Sequence, residues 1–141
     1  TAVRRYQEKI SMPLLDRIDM MIEVSALSYP QWNQTTQEMS SAQMKKKVER
    51  VREIQKERRK GQSFLFNSRM GNQELEEYCA LGTQEKKLMK KAFDELKISA
   101  RGYTKILKVA RTIADLEEKE QIQTEHLQEA LCYRIGNGIY R

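Results

Sequence analysis

"SARGYTKILKVARTIADL", residues 99–116, decides the fold of this chain. Ser99 suits a helix N-cap, because a serine hydroxyl there accepts from an otherwise unpaired N–H of the first turn. Beyond it Tyr103, Ile106, Leu107, Ala110, Ile113 and Ala114 recur at intervals of three and four. That spacing puts all six on one face of a helix, which we expect to run to about Glu118. The opposite side carries Arg101, Lys105, Lys108 and Thr112, a cationic stripe that begins in the first turn.

The neighbouring stretches repeat the pattern. Thr124 is expected to cap a helix with Leu127, Ala130 and Leu131 inward, ahead of a frayed GNGIYR end. Upstream, Thr83 is expected to cap a helix to about Leu96, with Leu88, Met89, Ala92, Phe93 and Leu96 inward. Gln73 to Ala80 reads as a shorter helix. Residues 73–141 therefore read as one compact helical unit.

Residues 33–72 read as a linker with one long helix. Ser40 and Ser41 offer N-caps, and about twenty residues without Gly or Pro follow. Met44, Val48, Val51 and Ile54 or Gln55 make one narrow apolar stripe among Lys, Arg, Glu and Gln, so this helix should touch its neighbours along a single seam. Gly61 ends it, and Phe64, Leu65 and Phe66 look buried in the connector beyond.

Residues 1–32 differ. Residues 2–9 read as a helix end or basic connector. Pro13 opens a helical turn, where its missing N–H is no loss, with Leu14, Leu15 and Ile18 at helical spacing. Met20 to Val24 then switches to a strand-like apolar pattern with no partner strand in sight, and residues 25–39 read as a loop in which Tyr29 and Trp32 pack. The chain as a whole is expected to be mainly α, a helical bundle with one long charged helix and at most a short orphan strand.

Composition excludes more than it assigns. The chain has 141 residues, a third of them charged, and a formal net charge of +6. That favours anionic partners, although a solvated basic surface explains it as well. Cys79, Cys132 and the single His126 lack metal-ligand spacing, so no zinc site and no disulfide framework is expected. No apolar run approaches the roughly 20 residues that span a bilayer, and no signal peptide is visible. A soluble, cytoplasmic protein is expected, and its start at Thr1 reads as an excised piece. There is no phosphate loop, no GxGxxG, no HExxH and no CxxC.

Three sets of basic residues remain. Arg101 opens the cationic stripe, where a helix N-terminus adds to the attraction for phosphate; a solvated face is the plainer reading. Arg17 stands between Asp16 and Asp19. It either pairs with one of them or is held out to stabilise charge on a transferring phosphoryl group. Lys56, Arg58, Arg59 and Lys60 end the long helix, where cations complement its dipole; a nucleic-acid contact is the other reading.

Taken together, the residues resemble the C-terminal part of a magnesium-chelatase-like AAA+ ATPase of the ComM/YifB type, covering the end of the core and the helical lid. The carrying stretches are Lys9 to Asp19, Ile22-Glu23-Val24, Ser40-Ser41, Leu96 with Ser99-Ala100-Arg101, and above all Ile106 to Leu116. His126-Leu127, Glu129-Ala130-Leu131 and Tyr133-Arg134 complete them. Met12, Gly102 and Lys105 depart from the family pattern, and neither arginine is lost. True chelatase subunits carry a DRFG-like segment where this chain has Asp16-Arg17-Ile18-Asp19.

The resemblance implies that Met20 to Val24 is the last core strand, that residues 41–60 are the inserted helix of this AAA+ branch, and that residues from about 73 form the lid. It implies Arg17 as an arginine finger acting on a neighbouring subunit, and Arg101 as a sensor-2 arginine on an ATP phosphate. ATP and magnesium would serve the full-length protein rather than this piece. Partners would be other copies in a ring, and DNA for a ring motor or helicase active in natural transformation. A true magnesium chelatase subunit and a basic nucleic-acid or adaptor module are the competing readings.

Overall fold

A computed structural model describes residues 11–22, 24–26, 28–29, 38–61 and 66–135. Trp32, Phe64, Leu65, the basic connector at residues 2–9 and the GNGIYR end lie outside them. The described residues are helical, without a strand: α1 Met12–Leu15, α2 Ser41–Arg58, a 3-10 turn Asn67–Arg69, α3 Asn72–Tyr78, α4 Thr83–Leu96, α5 Ala100–Leu116 and α6 Thr124–Ile135.

Helix α5 is the centre of the bundle, and α2, α3 and α6 pack against it. Its expected cap is present: the Ser99 hydroxyl accepts from the Gly102 N–H at 2.9 Å. Ile106, Leu107, Ala110, Ile113 and Ala114 are buried as their spacing requires. Of these, Ile106, Leu107, Ala110 and Ile113 share one core with Leu75 and Cys79 of the α3 region, Met89 and Ala92 of α4, and Leu127, Ala130 and Leu131 of α6. Tyr103 is half-buried and takes the edge of Phe93, 6.3 Å between centroids, which leaves Phe93 partly exposed rather than inside.

The capping rules hold for α2 and shift for two other helices. Ser40 and Gln43 form a reciprocal capping box, which satisfies two end groups at once. Helix α4 is capped by Gly82, so Thr83 is its first helical residue. Thr124 likewise lies inside α6, and its hydroxyl donates to Glu85 Oε1 of α4 at 2.7 Å. The α6 entrance is closed instead by His126, whose Nδ1 accepts from the Gln123 N–H at 2.9 Å. That bond leaves the ring's other nitrogen, Nε2, 3.2 Å from Glu117 Oε2.

Met20 to Val24 is not a strand among the described residues. A strand needs an edge of unpaired backbone groups beside it, and the described residues of this segment make one backbone bond, from the Met21 N–H to the Tyr133 carbonyl at 2.8 Å. Tyr29 and Phe66 are also corrections: Tyr29 is 79% exposed rather than packed, and Phe66 lies partly exposed with the Arg52 guanidinium 5.6 Å from its ring centre.

Candidate functional site

The basic residues separate into those the fold consumes and those it leaves available. The end of α2 is consumed first. Arg59 is buried, with Nη2 donating to Asn67 Oδ1 at 2.8 Å. Arg58 grips the Asp115 carboxylate with both terminal nitrogens. The four basic residues therefore do not share one solvated end: Arg58 and Arg59 turn inward, and Lys56 and Lys60 are exposed.

Asp115 is the anchor of this inward turn. It is sealed from solvent and also accepts from Arg111 Nε at 3.0 Å, Gln55 Nε2 at 3.2 Å and Asn67 Nδ2 at 2.8 Å. A buried carboxylate is tolerated only when its lone pairs are filled, and donors from α2, the 3-10 turn and α5 fill these. Arg111 is itself buried. Its remaining nitrogens hold the carbonyls of Lys119 and Glu120, and burial pulls its pKa below the usual guanidinium value despite Asp115. The periodicity of residues 106–116 gave no hint that Arg111 and Asp115 are interior. The usable signal is an arginine and an aspartate four apart next to an apolar face.

Arg17 has a different environment. Both flanking aspartates point away from it. Asp16 Oδ1 accepts from Arg134 Nη2 at 2.7 Å and from the Ser99 hydroxyl at 2.8 Å. Asp19 Oδ1 lies 2.6 Å from Lys105 Nζ. The local ion-pair reading of Arg17 is therefore excluded among the described residues: its partners are taken, and the exposed guanidinium is left over.

Arg101 is exposed at the start of α5 and opens a groove of about 560 Å³ between Asp19, Met20, Ser68, Lys105, Lys108 and Glu129. The expected stripe of Arg101, Lys105, Lys108 and Thr112 does line one surface, but it is not simply solvated. Lys105 also donates to the Arg17 carbonyl, Lys108 to the Ser68 carbonyl at 3.1 Å, and Thr112 to Lys108 at 2.9 Å. The Gly102 amide is spent on Ser99. The groove presents the Arg101 guanidinium with Lys108 and with Lys105, the last paired to Asp19, and the Asp19 and Glu129 carboxylates share its lining. Among the described residues, no helix is long and apolar enough to cross a membrane.

Residues 38–134 match the family "Magnesium chelatase, subunit ChlI C-terminal", and residues 1–32 match "Magnesium chelatase, subunit ChlI". Competence protein ComM of Haemophilus influenzae is 41% identical over 133 residues, which is 94% of this chain and 25% of that protein. The uncharacterized protein YifB of Salmonella typhimurium is 37% identical over 92% of this chain and 25% of its own length. YifB of Escherichia coli is 33% identical with the same coverage. The chain thus spans about a quarter of the length of the curated relatives it matches.

Proposed function

This chain belongs to the magnesium chelatase ChlI family, and from that membership we propose that it is the finger-and-lid portion of an ATP-hydrolysing AAA+ ring motor of the ComM/YifB type. Arg17 reaches the triphosphate on a neighbouring copy and stabilises the charge that develops on the transferred phosphoryl group. Arg101 holds a phosphate at the mouth of the α5 groove. ATP with magnesium is the cofactor of the whole protein, and DNA is its substrate. When bound, the metal would neutralise charge on the phosphates; the residues of this chain hold and orient them and add the Arg17 charge.

The observation that carries this reading is the commitment of Asp16 and Asp19 to Arg134, Ser99 and Lys105. An arginine flanked by two acids in sequence pairs with neither of them, and among the described residues its permanently charged fork stays exposed. In the intact protein, Arg17→Ala should lower ATP hydrolysis on the order of 10³-fold or more and leave ATP binding in place. Full hydrolysis by that variant would remove Arg17 from the reaction.

The competing nucleic-acid-module reading draws on the net charge of +6. Besides the Lys105 and Lys108 face it relies on the four basic residues that end α2, and two of those turn inward, Arg58 to Asp115 and Arg59 to Asn67.

A further inference from the structure

Resting on the reading of Arg17 as a group that acts on a neighbour's triphosphate, we propose that Arg134 is its positioning residue, so that the finger segment and the lid of one chain move as a single body. Arg134 comes from the last turn of α6 and is 2% exposed. It donates to Asp16 Oδ1 at 2.7 Å, to the Asp16 carbonyl at 3.3 Å and to the Ile18 carbonyl. Its planar fork therefore grips the peptide groups on both sides of Arg17.

The carbonyl between them, that of Arg17 itself, is taken by Lys105 from α5. Three successive carbonyls, at residues 16, 17 and 18, are thus held by two cations of the lid. The direction in which the Arg17 side chain leaves the backbone is fixed by these bonds. The Arg17 N–H to the Leu14 carbonyl at 2.9 Å and the Ser99 hydroxyl on Asp16 add to them, while of the described side chains before Val24, Leu15 is the buried apolar one.

Gly102 belongs to the same device. A Cβ there would stand 3.4 Å from Arg134 Nη2, 3.3 Å from the Ser99 hydroxyl and 3.0 Å from Ile98 Cγ2. Glycine costs about 1 kcal/mol against alanine inside a helix, and here a side chain would crowd Ile98 and the Ser99 cap first and only touch the Arg134 fork. The Met21 N–H bond to the Tyr133 carbonyl closes the segment onto α6 one residue from Arg134.

The test is steady-state ATP hydrolysis by the intact protein carrying Arg134→Met, Asp16→Asn or both. A catalytic group displaced by about 1 Å loses on the order of 10²-fold in rate. We expect kcat to fall by that order with KM for ATP unchanged, no further loss in the double variant, and none when Arg134→Met is added to Arg17→Ala. Asp16→Asn keeps its shape and serves if Arg134→Met does not fold. Wild-type kcat in both single variants overturns the proposal, as does a raised KM at unchanged kcat or a further loss on top of Arg17→Ala. Hydrogen exchange at the Met21 amide reads the clasp without using hydrolysis. It should quicken in Arg134→Met while the α5 amides stay protected, and unchanged exchange also overturns the proposal. If Arg17→Ala itself hydrolyses ATP normally while Met21 responds, the clasp stands and the finger reading fails.

Discussion

Asp115 lies one helical turn beyond Arg111 on α5, and the two side chains meet at 3.0 Å with almost no solvent on either. Arg58 approaches the same carboxylate from α2, so one negative charge sits between a buried and a partly buried guanidinium. Removing it leaves those charges desolvated and unpaired, which is the costly way to break a buried ion pair. Asp115→Ala should destabilise the chain by about 3–5 kcal/mol, read from the urea midpoint at neutral pH. A midpoint equal to wild type would mean that Arg111 and Arg58 do not depend on Asp115.

The Arg50–Glu118 pair is the surface counterpart. Arg50 Nη2 lies 2.9 Å from Glu118 Oε2 with both side chains more than half exposed. The hydrogen bond from Arg50, and then its charge, hold the Glu118 carboxyl below its ordinary value. A carboxyl whose folded pKa is depressed lends stability above its unfolded pKa and loses it as pH falls through the folded one. Carboxyl NMR titration should show the Glu118 midpoint rising toward the ordinary value in Arg50→Ala. An unmoved midpoint would show that the pair does not persist in solution.

The two thiols should separate cleanly by reactivity. Cys79 is buried, and burial pushes its pKa up to about 11, so the thiolate that attacks a disulfide reagent is scarce near neutral pH. Cys132 is exposed on α6. A thiol-exchange reagent at pH 8 should titrate one thiol in the native protein and two in denaturant, and Cys132→Ser should abolish the native signal. Rapid native labelling of Cys79 would contradict its burial.

The bundle was legible because its signals are local. The face of α5 and the Ser99 cap follow from spacing and hydroxyl chemistry within a few residues. The α2 seam was half legible: Val51 and Gln55 are buried as the stripe implies, whereas Met44 and Val48 remain about half exposed. The Asp115 cluster was not legible, because its donors stand at positions 55, 58, 67 and 111 and only the fold gathers them. The same holds for Arg17. Its local sequence leaves pairing and release equal, and the deciding contact joins Asp16 to Arg134 across 118 positions.

Among the described residues helix α2 is buried at one end only, with the exposed Arg50–Glu118 pair its one further tie to the bundle. Val51, Gln55 and the following Arg59 are buried, while every residue from Ser41 to Arg50 is exposed. At 1.5 Å per residue, the Ser41 tip stands about 21 Å from Gln55, and a tilt of about 10° at the grip swings that tip through about 4 Å. The helix is thus a boom whose pivot is the Asp115 cluster, and it magnifies at its tip whatever small rotation the bundle undergoes at its root.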